Sequence, residues 1–325
     1  MKRREFIAGL GSAAAWPVVA WAQQAVVPVI GFLHSASLAA YARYVAAFNR
    51  ALEKTGLREG QNVRIEYRWA NDRYDQLPAL AADLVRHQVA VIVAIGPPAA
   101  QVAKAATTTI PIVFAVGADP IASGLVGTLN RPGGNLTGTS ILINTLAPKQ
   151  LEILHQVLPK TAAIGAPLNP DNPNAETDAR EVTEAARALG RPLILFNARN
   201  ESDIDATFAA LARQNARGLV VVSDPSALTR GDQLIALSAR HAIATIYPVP
   251  EQAAAGGLMS YGVSLTDSYD LLASYTSRIL KGERPADLPV QQATKIELVI
   301  NMRTAKALGL TIPETLLATA DELIQ

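Results

Sequence analysis

The feature that most constrains the fold of this chain is a regular alternation of short apolar runs with amphipathic helical segments. The run Val89–Ile95 (VAVIVAI) is apolar on both faces, as a central parallel strand covered by helices must be. Ahead of it, Leu38, Val45 and Leu52 belong to a series of apolar residues spaced three and four apart, which marks one face of a helix. This βαβα pattern predicts parallel sheets connected by right-handed crossovers.

The alternation runs through the chain in two successive sets. The first has predicted strands at Val29–Leu33, Val63–Trp69, Val89–Ile95 and Ile112–Val116, with predicted helices from Leu38 and at Leu77–Arg86, Pro98–Ala106 and Ile121–Leu129. The second has predicted strands at Leu136–Ile141, Ala162–Leu168, Leu193–Phe196, Leu219–Ser223 and Thr245–Val249, with predicted helices at Pro148–Val157, Ala175–Leu189, Ile204–Arg213 and Gln233–His241. We therefore predict an α/β protein of two similar doubly wound, Rossmann-like lobes with parallel sheets.

Three stretches rich in turn-forming residues indicate where the chain passes between the lobes: Asn130–Leu136, Gly256–Gly262 and Lys281–Pro289. Three such crossings would form a hinge. They predict a first lobe of residues 23–140 plus about 263–284, and a second lobe of residues 141–262 plus about 285–325.

The first 22 residues have the layout of an export signal. Three basic residues at positions 2–4 precede an apolar, Ala-rich run from Phe6 to Val19, and a small-x-small cleavage site follows at 20–22. The segment RREFI resembles a twin-arginine signal. The alternative is a membrane anchor, but the run is shorter than the roughly 20 residues that span a bilayer and contains Pro17. We expect cleavage near Ala22 and a mature protein in the periplasm.

Composition argues against several classes of function. Removing the signal takes Lys+Arg from 29 to 26 and Asp+Glu from 28 to 27, so the formal charge moves from +1 to −1. Since no basic run is present, nucleic acid is not an expected partner.

The chain has no cysteine, which excludes disulfides, thiolate metal sites and a thiol nucleophile. Phosphate-loop, HExxH and GxSxG motifs are missing too, so we expect neither an enzyme nor a cofactor or metal site.

Ligands of open parallel sheets bind beyond the carboxyl ends of strands, where helix N-termini present free N–H groups. The first two loops at this edge supply six candidate ligand-binding residues: Ser35, Ser37, Gly96, Pro98, Ala99 and Ala100. Ser37 either contacts a ligand carboxylate or caps the following helix. Gly96 permits close backbone approach, and Pro98 suits a first helical position that leaves the next two amides for an anion. A plain tight turn is the alternative for this second loop.

Two further loops contain acidic candidates. Asp119 either pairs with a ligand ammonium or caps the helix predicted from Ile121. Ser223 and Asp224 have the same ambiguity, and their loop would face the first lobe. Other candidates lie at or near strand ends, where a turn or surface role is the alternative: Ser140, Asn169, Tyr247 and Tyr261.

In this order, the loops resemble those of the ABC transporter substrate-binding proteins whose best-understood members bind tryptophan, phenylalanine or tyrosine. The resemblance runs from about Val29 to Gly282 and is most specific between Asp119 and Gly138, which includes LNRPGGNLTG. Supporting matches are Pro98–Gln101, Ile246–Pro248 and Gly256–Leu258. The resemblance implies a type I periplasmic binding protein fold with two lobes, three crossings and a ligand cleft.

The resemblance also implies roles for site residues. The loop Ser35–Ser37 and the turn Pro98–Ala100 are expected to hold an amino-acid carboxylate, and Asp119 and Asp224 to lie near the cleft.

Two positions depart from the pattern of members that bind aromatic amino acids. Those members tend to carry an acidic residue where this chain has Ile141, and Asn where it has Pro225. The loss of an acid and an amide weakens the case for an α-ammonium group on the ligand. A carboxylic acid without an amine, or another small organic molecule, is the alternative.

Together these observations predict a monomeric periplasmic receptor for a small organic solute, either an amino acid or an aromatic or carboxylic acid. The lobes would close over this ligand, with Tyr247 or Tyr261 covering an apolar part, and the closed form would dock on an ABC permease of the inner membrane. Two alternatives stay open. One is a sensory protein that presents its ligand to a membrane receptor, and the other is an exported enzyme on a flavodoxin-like fold.

Overall fold

The computed structural model describes residues 27–141, 143–293 and 295–325, so the predicted export signal lies outside the described residues. The chain forms two sheets, each covered by helices on both faces. The predicted pair of doubly wound α/β lobes is therefore confirmed. Within the described residues, no helix combines the length and apolar character needed to cross a membrane.

The strands are β1 Val29–His34, β2 Arg64–Trp69, β3 Val91–Ile95, β4 Ile112–Val116, β5 Leu136–Ser140, β6 Ala163–Leu168, β7 Leu193–Asn197, β8 Ala216–Val220, β9 Ala244–Tyr247, β10 Met259–Val263, β11 Gln291–Gln292, β12 Ile296–Asn301 and β13 Glu322–Ile324. The α-helices are α1 Leu38–Lys54, α2 Leu77–Arg86, α3 Pro97–Ala106, α4 Ala147–Val157, α5 Ala175–Ala188, α6 Glu201–Arg213, α7 Pro225–Thr229, α8 Gly231–Arg240, α9 Pro250–Ala254, α10 Leu265–Leu280, α11 Met302–Ala307 and α12 Glu314–Leu317. Short 3-10 turns occur at Tyr74–Gln76, Ile143–Leu146 and Pro285–Asp287.

The first sheet has the strand order β11-β5-β4-β3-β1-β2, and its paired strands are parallel. Every residue of the central strand β3 is buried. Because side chains alternate between the faces of a strand, Val93 packs in a cluster with α1 and α10, whereas Ile92 packs in one with α2 and α3. Both faces are thus covered, as the VAVIVAI run predicts.

The second sheet has the order β13-β12-β10-β9-β8-β6-β7. Its strands pair in parallel except β10 with β12, which are antiparallel. In β8, Val220 packs in the cluster that contains α4, and Leu219 in the cluster that contains α6 and α8. The second lobe therefore repeats the layered construction of the first.

The chain passes between the sheets three times: after β5, between β10 and α10, and between β11 and β12. The predicted second lobe resumed at about residue 285, but β11 pairs with β5 in the first sheet. Two hydrogen bonds hold this segment there: the Val290 N–H donates to the Leu129 carbonyl at 2.7 Å, and the Thr137 hydroxyl donates to the Leu288 carbonyl at 2.7 Å. The third crossing thus follows Gln292.

The helix predicted at Ile121–Leu129 is wrong, because this segment consists of turns. Gly124 has a φ of +68°, which a continuing right-handed helix does not allow. The amides of Leu125 and Val126 both donate to the carbonyl of Pro120, at 2.8 and 3.1 Å, and so close the turn.

The packing of β5 on β4 yields a test of the first sheet. A Cβ atom at Gly138 would overlap the backbone of Phe114, which cannot move without breaking the sheet. We expect Gly138→Ala to lower the free energy of unfolding by about 3 kcal/mol or more. Gly127→Ala is the control, because a Cβ atom there meets nothing within 4 Å. Urea unfolding of both variants measures the difference, and equal stabilities would contradict the packing described for β5.

Candidate functional site

A cavity lies between the lobes, at the edge where strands of both sheets end, and the centres of water-sized molecules can occupy about 50 Å³ of it. We call it the cleft cavity. The first lobe lines it with residues at or just after the ends of β3, β4 and β5, one residue of α1 and the first two turns of α10: Tyr41, Ile95, Gly96, Pro97, Ala115, Gly117, Ile141, Leu265, Ser268 and Tyr269. The second lobe contributes Ser223, Asp224, Pro225, Leu228 and Val249. Ligands of doubly wound folds bind at this edge.

The lobes pack closely against each other at Gly96. A Cβ atom there would lie 2.5 Å from Oγ of Ser35 and 2.9 Å from Cγ of Pro225 in the opposite lobe. Gly96 also has a φ of +89°, which side-chain-bearing residues rarely adopt. The position therefore requires glycine both for its backbone conformation and for the contact between lobes.

Asp224 is the one charged residue among the described residues that line the cleft cavity, and its carboxylate is already well supplied with donors. Oδ1 accepts from the Ser226 N–H at 2.8 Å, from the Ser226 hydroxyl and from the Tyr74 hydroxyl at 3.0 Å. Oδ2 accepts from Nδ2 of Asn172 at 2.6 Å. Oδ1 thus accepts three hydrogen bonds and Oδ2 one, so one acceptor site remains on Oδ2. Asp224 caps α7 and joins the lobes through Tyr74.

Further contacts between the lobes surround the cavity. The Tyr41 hydroxyl donates to the Pro225 carbonyl at 3.3 Å. Arg230 of the second lobe lies 3.7 Å from the Asp72 carboxylate of the first, and both side chains are less than one-tenth exposed. The Thr229 hydroxyl also donates to Asp72, at 3.4 Å. These bonds exist only while the lobes are together, so the structure represents the closed arrangement.

A buried aromatic cluster supports the first-lobe side of the cavity. The ring of His34 lies 4.7 Å from Trp69 and 4.1 Å from Tyr41, measured between ring centres. Its Nε2 is 3.1 Å from the hydroxyl of Tyr269, and its Nδ1 accepts from the Ala36 N–H at 2.9 Å. Burial lowers the pKa of His34 to about 3, so the imidazole is neutral at physiological pH.

The candidate loops of the first lobe contribute less to the cavity than the sequence suggested. Ser35 lies behind it, and its buried hydroxyl donates to the Ile95 carbonyl at 2.9 Å. Ser37 is the N-cap residue of α1, without a hydrogen bond from its side chain to the helix. The expected anion-binding residues Pro98, Ala99 and Ala100 lie within α3, and the Ala100 N–H donates to the carbonyl of Gly96 at 3.0 Å. That amide therefore belongs to the helix, and only Gly96 of this loop's candidates lines the cavity.

Three polar candidates have structural partners. Asp119 is exposed, and its Oδ1 accepts from the N–H groups of Ile121 and Ala122 at 2.7 and 3.2 Å, so it caps a turn instead of the predicted helix. The buried Ser140 hydroxyl donates to the Ala118 carbonyl at 3.3 Å. Asn169 accepts from the Asp171 N–H at 3.1 Å.

The two tyrosine candidates lie in the second-lobe core. The side chain of Tyr247 is fully buried beside Phe208, and its hydroxyl donates to that of Ser238 at 3.4 Å. Tyr261 packs against the cluster that contains α4, and its carbonyl accepts from Gln150 at 2.8 Å. Strand alternation directs these side chains into the core, and Tyr41 and Tyr269 are the tyrosines at the cavity.

Of the sequence candidates, Gly96, Ser223 and Asp224 meet at the cavity, and the aromatic and aliphatic residues beside them were missed. Tyr41 belongs to the apolar face of α1, whose periodicity indicates burial but not which buried residues border a cavity. Leu265 and Tyr269 reach the site because the chain returns with α10 to the first lobe after β10 of the second sheet.

The comparisons with known proteins agree with this construction. The sequence profile described as ABC transporter substrate binding protein matches residues 26–324. The chain belongs to this family. A tyrosine-binding protein of Clostridioides difficile strain R20291 is 26% identical over 263 residues, which cover 81% of this chain and 75% of the relative.

Two solved structures show the same fold over nearly the whole described chain. A conserved domain protein from Vibrio cholerae is 28% identical, with a TM-score of 0.83 over 91% of this chain and 99% of that one. A domain from Streptococcus pneumoniae in complex with L-Trp is 26% identical, with a TM-score of 0.80 and the same coverage. The family and the fold predicted from the sequence are therefore confirmed.

The contact at Gly96 predicts how closure responds to one added carbon. Gly96→Ala places a methyl group between Ser35 and Pro225, so we expect the lobes to separate and the radius of gyration to increase in small-angle X-ray scattering. Gly56→Ala is the matched control: its φ is +91°, but nothing lies within 4 Å of the added carbon. Both variants carry the roughly 1–2 kcal/mol cost of a positive φ. An unchanged radius for Gly96→Ala would contradict the role given to this contact.

The Asp72–Arg230 pair predicts a pH dependence. Burial raises the pKa of Asp72 to about 6, Arg230 opposes this effect, and the charge of Asp224 adds to it. Since the ordinary pKa of Asp is about 3.9, the folded protein holds this proton more tightly than the unfolded chain. The contribution of Asp72 to stability is therefore largest below about pH 4 and is lost as the pH rises through 6.

Asp72→Asn removes this titration. We expect the stability of the variant relative to wild type to increase from pH 4.5 to pH 7.5, as measured by urea unfolding at several pH values. A difference in stability that stays constant over this range would contradict the raised pKa.

Proposed function

We propose that this protein is the periplasmic receptor of an ABC importer and captures a small organic solute in the cleft cavity. The observation that carries the proposal is the cavity itself, which lies between two lobes at the ligand-binding edge of both sheets and is lined mainly by apolar side chains. Membership in the substrate-binding family supports the same function.

Hinge closure is the proposed mechanism. In the open form, the solute binds at one face of the cleft, and the lobes then close over it. A ligand favours closure only if it contacts the closed form better than the open one. Here both lobes line the cavity, with Tyr269 on one side and Leu228 on the other, so a bound solute gains contacts when the second lobe arrives.

The contacts between lobes outside the cavity determine how much free energy of closure the bound ligand must supply. The Tyr74–Asp224 bond stabilises the closed form, whereas the burial of Asp72 outweighs the opposing effect of Arg230 on the pKa of that carboxyl. The closed form would then present surfaces of both lobes to a permease in the inner membrane. Export through the N-terminal signal, with cleavage near Ala22, would place the mature protein in the periplasm for this role.

The solute class follows from the lining. Both departures from the pattern of aromatic amino acid binders, Ile141 and Pro225, line the cavity and make it more apolar. We propose an amino acid or an aromatic or carboxylic acid as the solute, with its apolar part against these side chains.

A thermal-shift screen of residues 23–325 against amino acids, aromatic acids and small carboxylic acids tests the proposal. A ligand at 100 times its dissociation constant adds about 2.7 kcal/mol of stability, which raises the melting temperature by several degrees. We expect one chemical class to do so selectively.

A cavity-filling variant checks that the shift arises in the cleft cavity. Leu228→Trp should abolish the response because Leu228 lines the cavity, whereas Leu195→Trp, at an exposed leucine of β7, should retain it. A panel without any response would contradict the receptor function. An equal response in both variants would place the ligand elsewhere.

A further inference from the structure

Tyr269 lines the cleft cavity, and its surroundings determine the direction of its hydroxyl hydrogen bond. Tyr269 lies in the first turns of α10, is almost fully buried, and lines the cavity. Its hydroxyl is 3.1 Å from Nε2 of His34. Which of these two groups donates depends on the tautomer of the histidine.

The backbone determines that tautomer. The Ala36 N–H points at Nδ1 of His34 across 2.9 Å, so Nδ1 must accept and carries no proton. The imidazole, which is neutral because burial lowers its pKa to about 3, then carries its proton on Nε2. Nε2–H therefore donates to the Tyr269 oxygen, and the proton of Tyr269 itself is left for another acceptor. A buried hydroxyl proton of this kind normally has a hydrogen-bond partner.

A positively charged ligand group has little to bind in this cavity. Among the described residues that line it, the single carboxylate is that of Asp224, whose oxygens already accept from Ser226, Tyr74 and Asn172. An ammonium group has three donors, and burying donors that lack partners is costly. Asp224 has one open acceptor site for these donors, on Oδ2 beside Nδ2 of Asn172.

The rest of the lining accommodates an apolar body. Ile95, Ile141, Leu228, Val249 and Leu265 come from both lobes and surround the space next to Tyr269. Each buried methylene of a ligand against such side chains contributes about 0.8 kcal/mol.

We infer that the cleft cavity selects a small, mainly apolar molecule whose buried polar end is a hydrogen-bond acceptor and not an ammonium group, and that Tyr269 donates to this acceptor. The inference rests on the proposed receptor function and narrows its solute class. The acceptor is the oxygen of a carboxylate or of an uncharged amide, and His34 is the positioning residue that directs the Tyr269 proton.

A series of probes with one apolar body and different polar ends tests the inference by calorimetric titration. The phenyl series is 3-phenylpropionate, 3-phenylpropionamide, L-phenylalanine and phenethylamine. The isobutyl series is 4-methylpentanoate, its amide, L-leucine and isopentylamine. We expect the acid or the amide of at least one series to bind at least tenfold more tightly than the corresponding amine. We also expect the amino acid to bind no more tightly than the acid, which lacks the ammonium group. Whether acid or amide binds more tightly identifies the charge of the acceptor.

Tyr269→Phe deletes the donor and keeps the ring. We expect it to weaken binding of the acid tenfold or more, or of the amide severalfold, with little effect on the amine. Tyr275→Phe is the matched control on the same helix, because its hydroxyl donates to the Pro289 carbonyl at 2.6 Å, away from the cavity. His34→Phe keeps an aromatic ring beside Trp69 but no longer directs the Tyr269 proton. This variant should weaken binding of the acid or amide more than binding of the amine. A purely structural defect would instead weaken binding of all three probes equally.

Three results would overturn the inference: tighter binding of the amine than of the acid and amide, unchanged affinity of Tyr269→Phe, or no binding of either series. If Tyr269→Phe does not fold, the affinities of the wild-type protein for the two probe series test the inference without it. The thermal-shift screen distinguishes failure of this inference from failure of the proposed receptor function. A response to another solute class leaves the receptor function standing without this inference, and no response to any class removes both.

Discussion

The closed arrangement of this protein depends on the hydrogen bonds to the carboxylate of Asp224. Removing even part of a carboxylate from water is costly unless donors surround it, and here they come from both lobes. Ser226 and Asn172 donate from the second lobe and Tyr74 from the first. Because this set is complete only when the lobes meet, cavity formation and closure are a single event. The same residue caps α7, which carries Pro225 and Leu228 to the cavity.

The neighbouring contacts limit how strongly the protein closes without a ligand. Gly96 allows the loops of the two lobes to come into contact. Arg230 lies near Asp72, but the pKa of Asp72 is still raised, because the effect of burial on this pKa is larger than the opposing effect of Arg230. A receptor needs such a balance, since a lobe pair that closed fully by itself would admit no solute. In the proposed function, burial of a ligand against the apolar lining would supply the remaining free energy of closure.

The sequence predicted the part of the site that depends on strand ends. Gly96, Ser223 and Asp224 directly follow apolar runs, and such positions gather at one edge of a parallel sheet. It could not predict Tyr269, because helical periodicity marks a buried face without distinguishing core from cavity. The same limit applies to Tyr247, whose place after a strand suggested the cleft although its side chain points into the core.

The sequence by itself determined the two-lobed α/β architecture, because apolar periodicity is a local property and the turn-rich breaks are visible in the chain. It did not determine the helix predicted after Asp119, where glycine conformation and hydrogen bonds to Pro120 favour turns. Only the tertiary structure decided the chemistry of the cavity. The bond between His34 and Tyr269 joins residues 235 positions apart, and the bond between Tyr74 and Asp224 joins residues 150 apart. No local pattern encodes such pairs, because their geometry arises only when both lobes and the returning helix α10 have packed.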